Sequence, residues 1–341
     1  MSRARRRSTR TVRGHVYGPR QTTYTATERR RAAAWKSVTQ TLPDEAKQPA
    51  PYRSKDGRTG RAAYDFCLPL EHARLSLLAE VRDSSLSMFA ELGIPWHAGV
   101  DGGPSNHLLS SQVQCVNALD QMVHDPHRLL RAFGDVLNIA EVLEVEPGRY
   151  LTFEYIGPTD FFGEAAGAER IRGAHCTSVD AAFLHVRRDG LRELALVEWK
   201  YTEHYALRRP DPHKDEVRRG RYGQAWAAPD SPVRTDVLPF ELVLDEPFYQ
   251  LVRQQLLAHE LEKARAHGAD RVRVVHVLPC RNDAYQQSLI RPEHRAAGAS
   301  VSAVWQRMLR RPDRFMSLDS ALFLDPSITS DEYALRYRGD A

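Results

Sequence analysis

The sequence predicts an α/β protein in which a helical segment precedes a mixed central sheet. Apolar residues recur at helical spacing before about residue 140, and short runs of β-branched and aromatic residues follow from about residue 150. In this second part a long helical pattern separates two strand patterns, and a helix in that place crosses over between neighbouring strands. The 341 residues, 42% of them apolar, suffice for a sizeable core and correspond to about two domains or one decorated domain.

The first part of the chain contains most of the predicted helices. Helical spacing of apolar residues marks residues 70–92, 105–123 and 126–140. Glycine and proline end the first of these stretches and separate it from the second. We therefore expect residues 59–149 to form a helical part that packs on the rest of the protein.

The remainder, residues 150–341, is predicted to hold the sheet. Strand patterns cover residues 150–156, 181–186, 191–199 and 271–278, and helical patterns cover residues 246–267 and 301–311. Asp245 is expected to cap the longer helix, and Gly268 is expected to end it. Residues 201–240 are rich in proline and charge and too long for an ordinary connection, which indicates a functional or inserted loop.

Charge is distributed unevenly along the chain. Residues 1–36 hold ten Arg, one Lys and a single acid, Glu28, and carry a net charge of +10, whereas residues 37–341 carry −6. The basic excess is thus a property of the N-terminal segment and not of the folded body. Because only residues 32–42 look weakly helical, we expect residues 1–58 to be a basic, largely flexible arm that is attracted to nucleic acid through counterion release.

Composition also limits where the protein acts. Its four cysteines, Cys67, Cys115, Cys176 and Cys280, are far apart and form no Cys-x-x-Cys pair, so neither a disulfide framework nor a structural zinc site is expected. No stretch resembles a membrane span. The basic N-terminus lacks the apolar segment of a secretory signal, although its composition also matches an organellar transit peptide. We expect a cytoplasmic protein.

The strongest chemical signal is a set of three charged residues, Asp180, Glu198 and Lys200. Residues 198 and 200 are two apart on a predicted strand, so both side chains project from one face. A two-residue hairpin turn at 189–190 would place Asp180 on the opposite face, whereas a three-residue loop at 188–190 would pair it with Glu198. The longer loop needs a left-handed residue at its third position, where Gly190 stands, and is the predicted one.

Two carboxylates that face each other across a sheet repel, which points to a divalent cation between them. Mg²⁺ prefers carboxylate and water ligands and leaves positions for phosphate oxygens, so Asp180 and Glu198 are predicted to bind Mg²⁺, with Mn²⁺ as a substitute. Lys200 would position the attacking water or neutralise charge that develops on the phosphate. The alternative is that Glu198 and Lys200 are surface charges at a strand end. The apolar run at residues 194–197 and the scarcity of lysine, six against 42 Arg, favour the catalytic interpretation.

Three segments resemble a family of restriction endonucleases in the PD-(D/E)XK phosphodiesterase superfamily: RGAHCTSVDAAF at residues 172–183, LVEWKYTE at 196–203 and HLLSSQVQCVN at 107–117. The resemblance extends over about residues 60–330. It implies a restriction-endonuclease-like αβββαβ core, Mg²⁺ dependence and cleavage of DNA phosphodiester bonds. It also implies that Asp180 and Glu198 are the metal ligands and that Lys200 is the catalytic lysine. The proline that names the superfamily is replaced by Val179.

Two further site residues follow from the same resemblance. An acidic residue on the preceding helix often supports the metal in this superfamily, and Glu164 is preferred over Glu169 for that role. A glutamine on the long helix approaches the metal or the substrate backbone in similar nucleases, which makes Gln250 a candidate for positioning phosphate. For each of these residues the alternative is a solvated side chain without a catalytic role.

Arginines on the loops and helices are candidates for contacts with nucleic-acid phosphates. They are Arg172, Arg208, Arg209, Arg218 and Arg253. The alternative is that they are solvated surface charges, and the residues of the 201–240 loop are the clearest instance of that alternative.

The predicted function is that of a metal-dependent DNA endonuclease in restriction or phage defence. The alternatives are a repair or recombination nuclease that acts on ends or flaps, an RNA-processing enzyme, and a catalytically inactive nucleic-acid-binding module. DNA is the expected partner. A second copy of the chain in a homodimer, a cognate methyltransferase and another defence-system protein are further candidates, and no membrane partner is expected.

Overall fold

The computed structural model describes residues 22–54, 56–206 and 211–338. Within these residues the strands form a two-stranded ribbon and a six-stranded sheet. The ribbon consists of β1 (Ala50–Arg53) and β2 (Thr59–Tyr64), and the sheet consists of β3 (Ile139–Leu143), β4 (Leu151–Tyr155), β5 (Val179–Arg187), β6 (Arg192–Trp199), β7 (Arg271–Leu278) and β8 (Phe315–Asp319). The strands predicted for the second half of the chain are therefore present, and β8 is an additional one.

The six-stranded sheet is mixed. β5 pairs antiparallel with β6 on one side and with both β3 and β4 on the other, where β4 lies along its first half and β3 along its second. β6, β7 and β8 run parallel to one another. The predicted α/β class with a mixed central sheet is confirmed.

Helices cover both faces of this sheet. They are α1 (Thr23–Val38), α2 (Arg82–Glu91), α3 (Ser111–Leu119), α4 (Pro126–Leu137), α5 (Pro212–Ala227), α6 (Phe248–Lys263), α7 (Asp283–Gln286), α8 (Pro292–Ala297), α9 (Val301–Met308) and α10 (Asp331–Tyr337). Across the described ranges, no helix is long and apolar enough to span a bilayer.

Alternation along β6 divides the apolar core into two layers. Val197 and Trp199 contribute to one layer, together with side chains of α2, α3, α4 and α10. Leu194 and Leu196 contribute to the other, which α6 and α9 complete. The N-terminal helices thus pack on one face of the sheet and the crossover helix α6 packs on the other, so that the end of β6 lies between them.

Helix α6 is shorter than the predicted helix at both ends: it ends at Lys263, and Arg265 adopts a left-handed conformation (φ 49°) before Gly268 is reached. Its first residue is Phe248, and no side chain caps it. The carbonyl oxygen of Asp245 accepts the Tyr249 N–H at 3.0 Å, while the Asp245 carboxylate pairs with Arg291 at 2.5 Å. The prediction that Asp245 caps the helix with its side chain is wrong, because an arginine from a later segment engages that carboxylate.

Residues 22–54 are folded, whereas the sequence led us to expect a largely flexible arm over residues 1–58. Helix α1 buries Lys36, whose Nζ donates to the carbonyl oxygens of Gln48 (2.7 Å) and Cys67 (2.5 Å). Buried polar contacts of this kind leave no apolar stripe in the sequence, which is why the helical pattern looked weak. The residues before Thr22 lie outside the described ones.

A second anchor joins α1 to the residue after Lys200. The Tyr201 hydroxyl donates to the buried carboxylate of Glu28 at 2.7 Å, and Arg31 Nε donates to the same carboxylate at 2.9 Å. Arg31 also donates to the carbonyl oxygen of Arg336 in α10. Helices from the two ends of the described chain therefore meet beside Tyr201.

Two further expectations of local structure are corrected. The helix expected over residues 126–140 ends at Leu137, because Asn138 adopts a left-handed conformation (φ 59°) that stops α4, and β3 follows at once. The 201–240 loop contains helix α5, which is N-capped by Asp211.

Candidate active site

The hairpin between β5 and β6 has the three-residue loop that the sequence predicted. The Arg187 N–H donates to the Leu191 carbonyl oxygen at 2.9 Å, and Gly190 has a φ of 83°. The register continues through the pair Ala181 and Val197, which places Asp180 opposite Glu198. One hydrogen bond fixes this end of the ladder, because the Trp199 N–H donates to Asp180 Oδ2 at 2.6 Å.

A third acid extends the row on the other side of Asp180. The register of β4 and β5 pairs Phe153 with Ala181 and Tyr155 with Val179, so Glu154 lies opposite Asp180. Its carboxylate accepts hydrogen bonds from Gln112 Nε2 (3.0 Å) and Ser178 Oγ (2.8 Å). Three neighbouring strands thus present Glu154, Asp180 and Glu198 side by side.

Gly173 leaves room for this third carboxylate. A Cβ at that position would lie 3.1 Å from the carboxyl carbon of Glu154, and Gly173 has a φ of 71°. Both the positive φ and the close approach favour glycine there. Glu154 itself has a φ of 45°, an uncommon conformation for a residue in a strand.

The row of acids is electrostatically unfavourable without a cation. Burial and the neighbouring carboxylates of Glu198 and Glu154 raise the pKa of Asp180 well above its usual range. Burial also raises the pKa of Glu154, against the opposing hydrogen bonds from Ser178 and Gln112. Two adjacent carboxyl groups that both resist ionisation form a site to which a positive charge would be attracted.

Lys200 and two glutamines surround the carboxylate of Glu198. Lys200 Nζ donates to Glu198 Oε1 at 2.5 Å and to Gln250 Oε1 at 2.7 Å. Gln250 Nε2 donates to Glu198 Oε1 at 2.6 Å, and Gln254 Nε2 donates to Oε2. Burial disfavours the ammonium, but the carboxylate of Glu198 outweighs this effect and raises the pKa of Lys200. Lys200 is therefore a charged, buried and oriented donor.

These side chains line a cleft of about 600 Å³. Glu154, Asp180, Glu198, Lys200 and Gln250 all contribute to its lining. The rest of the lining includes aromatic and imidazole rings from the N-terminal part and from the segment after β6, namely Tyr52, Trp96, His97, His107 and Tyr205. The structure therefore brings together four of the five predicted catalytic residues, Asp180, Glu198, Lys200 and Gln250, in one accessible cavity.

Glu164, the fifth, is not among the residues that line the cleft. Its carboxylate accepts the Thr177 N–H at 2.7 Å, the Thr177 hydroxyl at 2.8 Å and the Tyr222 hydroxyl, and it lies 3.9 Å from Arg253. This buried carboxylate joins the loop before β5 to α5 and α6. The position expected for Glu164, beside Asp180, is held by Glu154.

The arginines predicted to contact nucleic acid are mostly engaged within the protein. Arg172 donates to Thr152 and pairs with Glu146, and Arg253 donates to Thr177 at 3.0 Å. The guanidinium of Arg218 lies over a tyrosine ring, 3.9 Å from its centre, and donates to a carbonyl oxygen. Arg208 and Arg209 lie outside the described residues. The contacts described for Arg172, Arg218 and Arg253 are made within the protein and are structural.

Sequence reasoning missed Glu154 and Gln254, although both had a signal. Glu154 is a lone charge within the apolar strand pattern of residues 150–156, which is the same argument that singled out Glu198. Gln254 follows Gln250 by four residues, about one helical turn, and so lies on the same face of the predicted helix. Neither signal could be used without the register of β4 or the rotation of α6.

The carboxylates retain free acceptor positions. Among the described residues, Glu198 accepts three hydrogen bonds and Asp180 accepts one, of about four positions on each carboxylate. Over the described ranges, no group of three or more His, Cys, Asp or Glu side chains converges as a ready metal site. Mg²⁺, however, is usually held by one or two carboxylates, with water and substrate phosphate as the other ligands. The pair Asp180 and Glu198 fits that mode of binding.

Comparison with known proteins adds one finding. A model of the protein family described as restriction endonuclease associating with ARP matches the chain over residues 29–337. No curated protein and no solved structure matches the chain. The matched range includes the whole sheet, both helical layers and every residue of the cleft.

Proposed function

The chain belongs to the family of restriction endonucleases associating with ARP, and from this premise we propose that it is a Mg²⁺-dependent endodeoxyribonuclease acting in restriction or phage defence. We further propose that its core is of the PD-(D/E)XK type. The order α4, β4, β5, β6, α6 and β7 corresponds to the αβββαβ arrangement, with β3 inserted after α4 and α5 inserted after β6. Association with ARP, named in the family description, is proposed for this chain as well.

One observation supports this proposal above the others. Asp180 and Glu198 face each other on adjacent strands, and Lys200 follows two residues later on the same face, in a cleft open to substrate. A structural role alone would not require three acids beside one lysine, because like charges placed opposite each other destabilise a sheet. The arrangement is the one that phosphodiester hydrolysis with a bound cation needs.

Asp180 and Glu198 are the residues that would hold Mg²⁺, and Glu154 replaces Glu164 as the neighbouring acid. Bound there, Mg²⁺ would orient the scissile phosphate and lower the pKa of the attacking water. The Trp199 N–H holds Asp180 in place, and Gln250 and Gln254 hold Glu198. These contacts fix the ligands before substrate arrives.

Lys200 would act on the phosphate and the water. Its pKa is raised by Glu198, so the side chain remains an ammonium at neutral pH. Positioned by Gln250, it would hold the attacking water or stabilise the additional negative charge of the transition state. Gln250 is thus a positioning residue for both Lys200 and Glu198.

A second candidate function is a nuclease that acts on single strands, flaps or ends. The rings of Tyr52, Trp96 and His107 in the cleft favour it, because aromatic side chains stack on unpaired bases. Cleavage of covalently closed circular DNA separates the two candidates, since an enzyme that needs ends cannot start on a closed circle. An inactive binding module is opposed by the intact set of Asp180, Glu198 and Lys200.

The proposal is tested by incubating purified protein with closed circular plasmid, with Mg²⁺ and with EDTA. We expect Mg²⁺-dependent cutting by the wild type, and a loss of at least about 10²-fold for Lys200→Ala and Asp180→Ala. Lys214→Ala, which removes an exposed lysine in α5, is the matched control and should cut at the wild-type rate. Cutting by Lys200→Ala at the rate of that control would contradict the proposal.

A further inference from the structure

The ribbon formed by β1 and β2 is the most exposed regular element of the described chain. All six residues of β2 are exposed, and among the residues that the structure describes β2 pairs only with β1, so no described strand covers its outer edge. An isolated two-stranded ribbon is at best marginally stable in water. The ribbon therefore contributes little to the core, and its exposed position indicates a role in contacting another molecule.

The base of this ribbon is firmly anchored beside the cleft. The buried side chain of Asn106 donates from Nδ2 to the carbonyl oxygens of Pro51 (2.9 Å) and Leu68 (2.7 Å). Tyr52, in β1, lines the cleft and packs edge-on against His107 at 5.1 Å between ring centres. β1 is thus held along its length beside the cleft, since the Arg53 N–H also donates to Asn106 Oδ1 at 3.4 Å, whereas β2 is exposed throughout.

The free part of the ribbon is basic and narrow. Arg58 and Arg61 are exposed, and only Asp56 offsets them among the described residues between the two strands. The remaining residues of β2 are small near its middle: Gly60, Ala62 and Ala63. Small residues allow a backbone to approach another surface closely.

We propose that this ribbon enters the major groove of duplex DNA and positions the duplex so that one strand reaches the cleft. The major groove, about 12 Å wide, admits a two-stranded β-ribbon, whose strands lie about 4.8 Å apart. Arg58 and Arg61 contact phosphates, and the small residues Gly60, Ala62 and Ala63 allow the backbone to approach the bases. The inference rests on the proposed function only in taking DNA as the ligand. It adds that the DNA is double-stranded and that the ribbon of β1 and β2 contacts it.

The test measures equilibrium binding of a short mixed-sequence duplex in EDTA, so that no cleavage occurs. The variant is Arg58→Glu/Arg61→Glu. The matched control is Arg188→Glu/Arg192→Glu, which makes the same change of charge at exposed positions of the β5–β6 hairpin, at the other end of the sheet. Because the substituted side chains are exposed, melting curves of both variants should overlay that of the wild type.

We expect the ribbon variant to bind the duplex at least about tenfold more weakly. The slope of log affinity against log salt should fall by about 2, since two phosphate contacts are lost. A single strand of the same length should lose less affinity than the duplex, and the control should lose less than the ribbon variant on either substrate. Equal loss on duplex and single strand, or equal loss in both variants, would overturn the groove assignment.

The same two variants are then tested for plasmid cutting, which separates this inference from the proposed function. Weaker duplex binding by the ribbon variant, with no cutting by any form, would leave the ribbon assignment standing and remove the nuclease. Unchanged duplex affinity with normal cutting would remove the ribbon assignment alone. In that outcome the open edge of β2 would be free to pair with an acidic strand of a protein partner.

Discussion

Two buried carboxylates on the same strand, five residues apart, have opposite surroundings. Glu193, near the start of β6, lies 2.6 Å from Arg271 Nε and 2.9 Å from Arg273 Nε, with Arg187 and His185 each 3.6 Å away. Glu198, near its end, is paired with one lysine and lies next to two further acids.

The electrostatics of the two ends differ accordingly. Burial opposes ionisation of Glu193, but the nearby His185 and the charges of Arg273 and Arg271 lower its pKa. At the other end the pKa of Asp180 is raised, because burial and neighbouring carboxylates act together. A buried acid that serves only the fold is surrounded by cations, whereas the acids of the cleft are left short of positive charge. That shortage distinguishes a site from a structural ion cluster.

The largest effect that would test this contrast comes from neutralising each glutamate in turn. Glu198→Gln should lower plasmid cleavage by at least about 10²-fold, because the ligand charge is lost, and should leave the fold intact. Glu193→Gln should leave three arginines without their shared partner and destabilise the protein by about 3–5 kcal/mol. Denaturant titration and cleavage rate per folded molecule separate the two effects. If Glu193→Gln lowered the plasmid cleavage rate per folded molecule as far as Glu198→Gln does, the distinction between the two glutamates would be contradicted.

A smaller effect is expected from the third acid of the row. Glu154→Gln should reduce the cleavage rate by about 10–100-fold through its effect on the neighbouring ligands. Glu164→Gln should leave that rate unchanged and cost about 1–3 kcal/mol of stability, because Thr177 and Tyr222 lose a charged acceptor. Rates and unfolding free energies of the two variants decide the assignment. A rate loss confined to Glu164→Gln would restore the sequence-based choice.

The smallest effect concerns stability without a metal. Folding raises the pKa of Asp180. The protonated carboxyl therefore contributes fully to the stability of the fold at pH values below the pKa of Asp180 in the unfolded chain. This contribution is lost as the pH rises through the pKa of Asp180 in the folded protein. At neutral pH in EDTA, Asp180→Asn should therefore melt about 2–4 °C higher than the wild type. The gain should shrink on acidification, and Mg²⁺ should raise the melting temperature of the wild type alone. A variant that melts lower at neutral pH would show that the row of acids is not repulsive.

Much of the sheet could be predicted from the sequence because its signals are local. Gly190 alone selected the hairpin loop, and that choice determined that Asp180 faces Glu198. The strand at residues 271–278 was predicted at its observed bounds because it is rich in valine and lies between the turn signals Gly268 and Pro279. Helix α1 was predicted only as a weakly helical stretch at residues 32–42, because its stability comes from contacts of Lys36 and Glu28 with distant parts of the chain.

The site was predictable to the extent that it lies on one hairpin. Asp180, Glu198 and Lys200 belong to β5, β6 and the residue after β6, so spacing alone related them. Glu154 could not be placed, since more than twenty residues of loop separate β4 from β5 and their register is not encoded locally. A catalytic role for Glu164 stays a prediction, although the structure places Glu154, and not Glu164, beside Asp180.

The contacts of Arg31 with Tyr201 and Arg336 have a consequence for the order in which parts of the protein fold. Chains emerge from the ribosome from the N-terminus, and domains fold as their segments become available. The acids and the lysine are synthesised well before Arg336, yet the Arg31 guanidinium that steadies Tyr201 is itself held by the carbonyl oxygen of Arg336. A nascent chain that ends before α10 would thus already contain Asp180, Glu198 and Lys200, but Arg31 would lack its contact with Arg336. The contacts behind Tyr201, next to Lys200, are therefore completed only after α10 has been synthesised and has packed against α1.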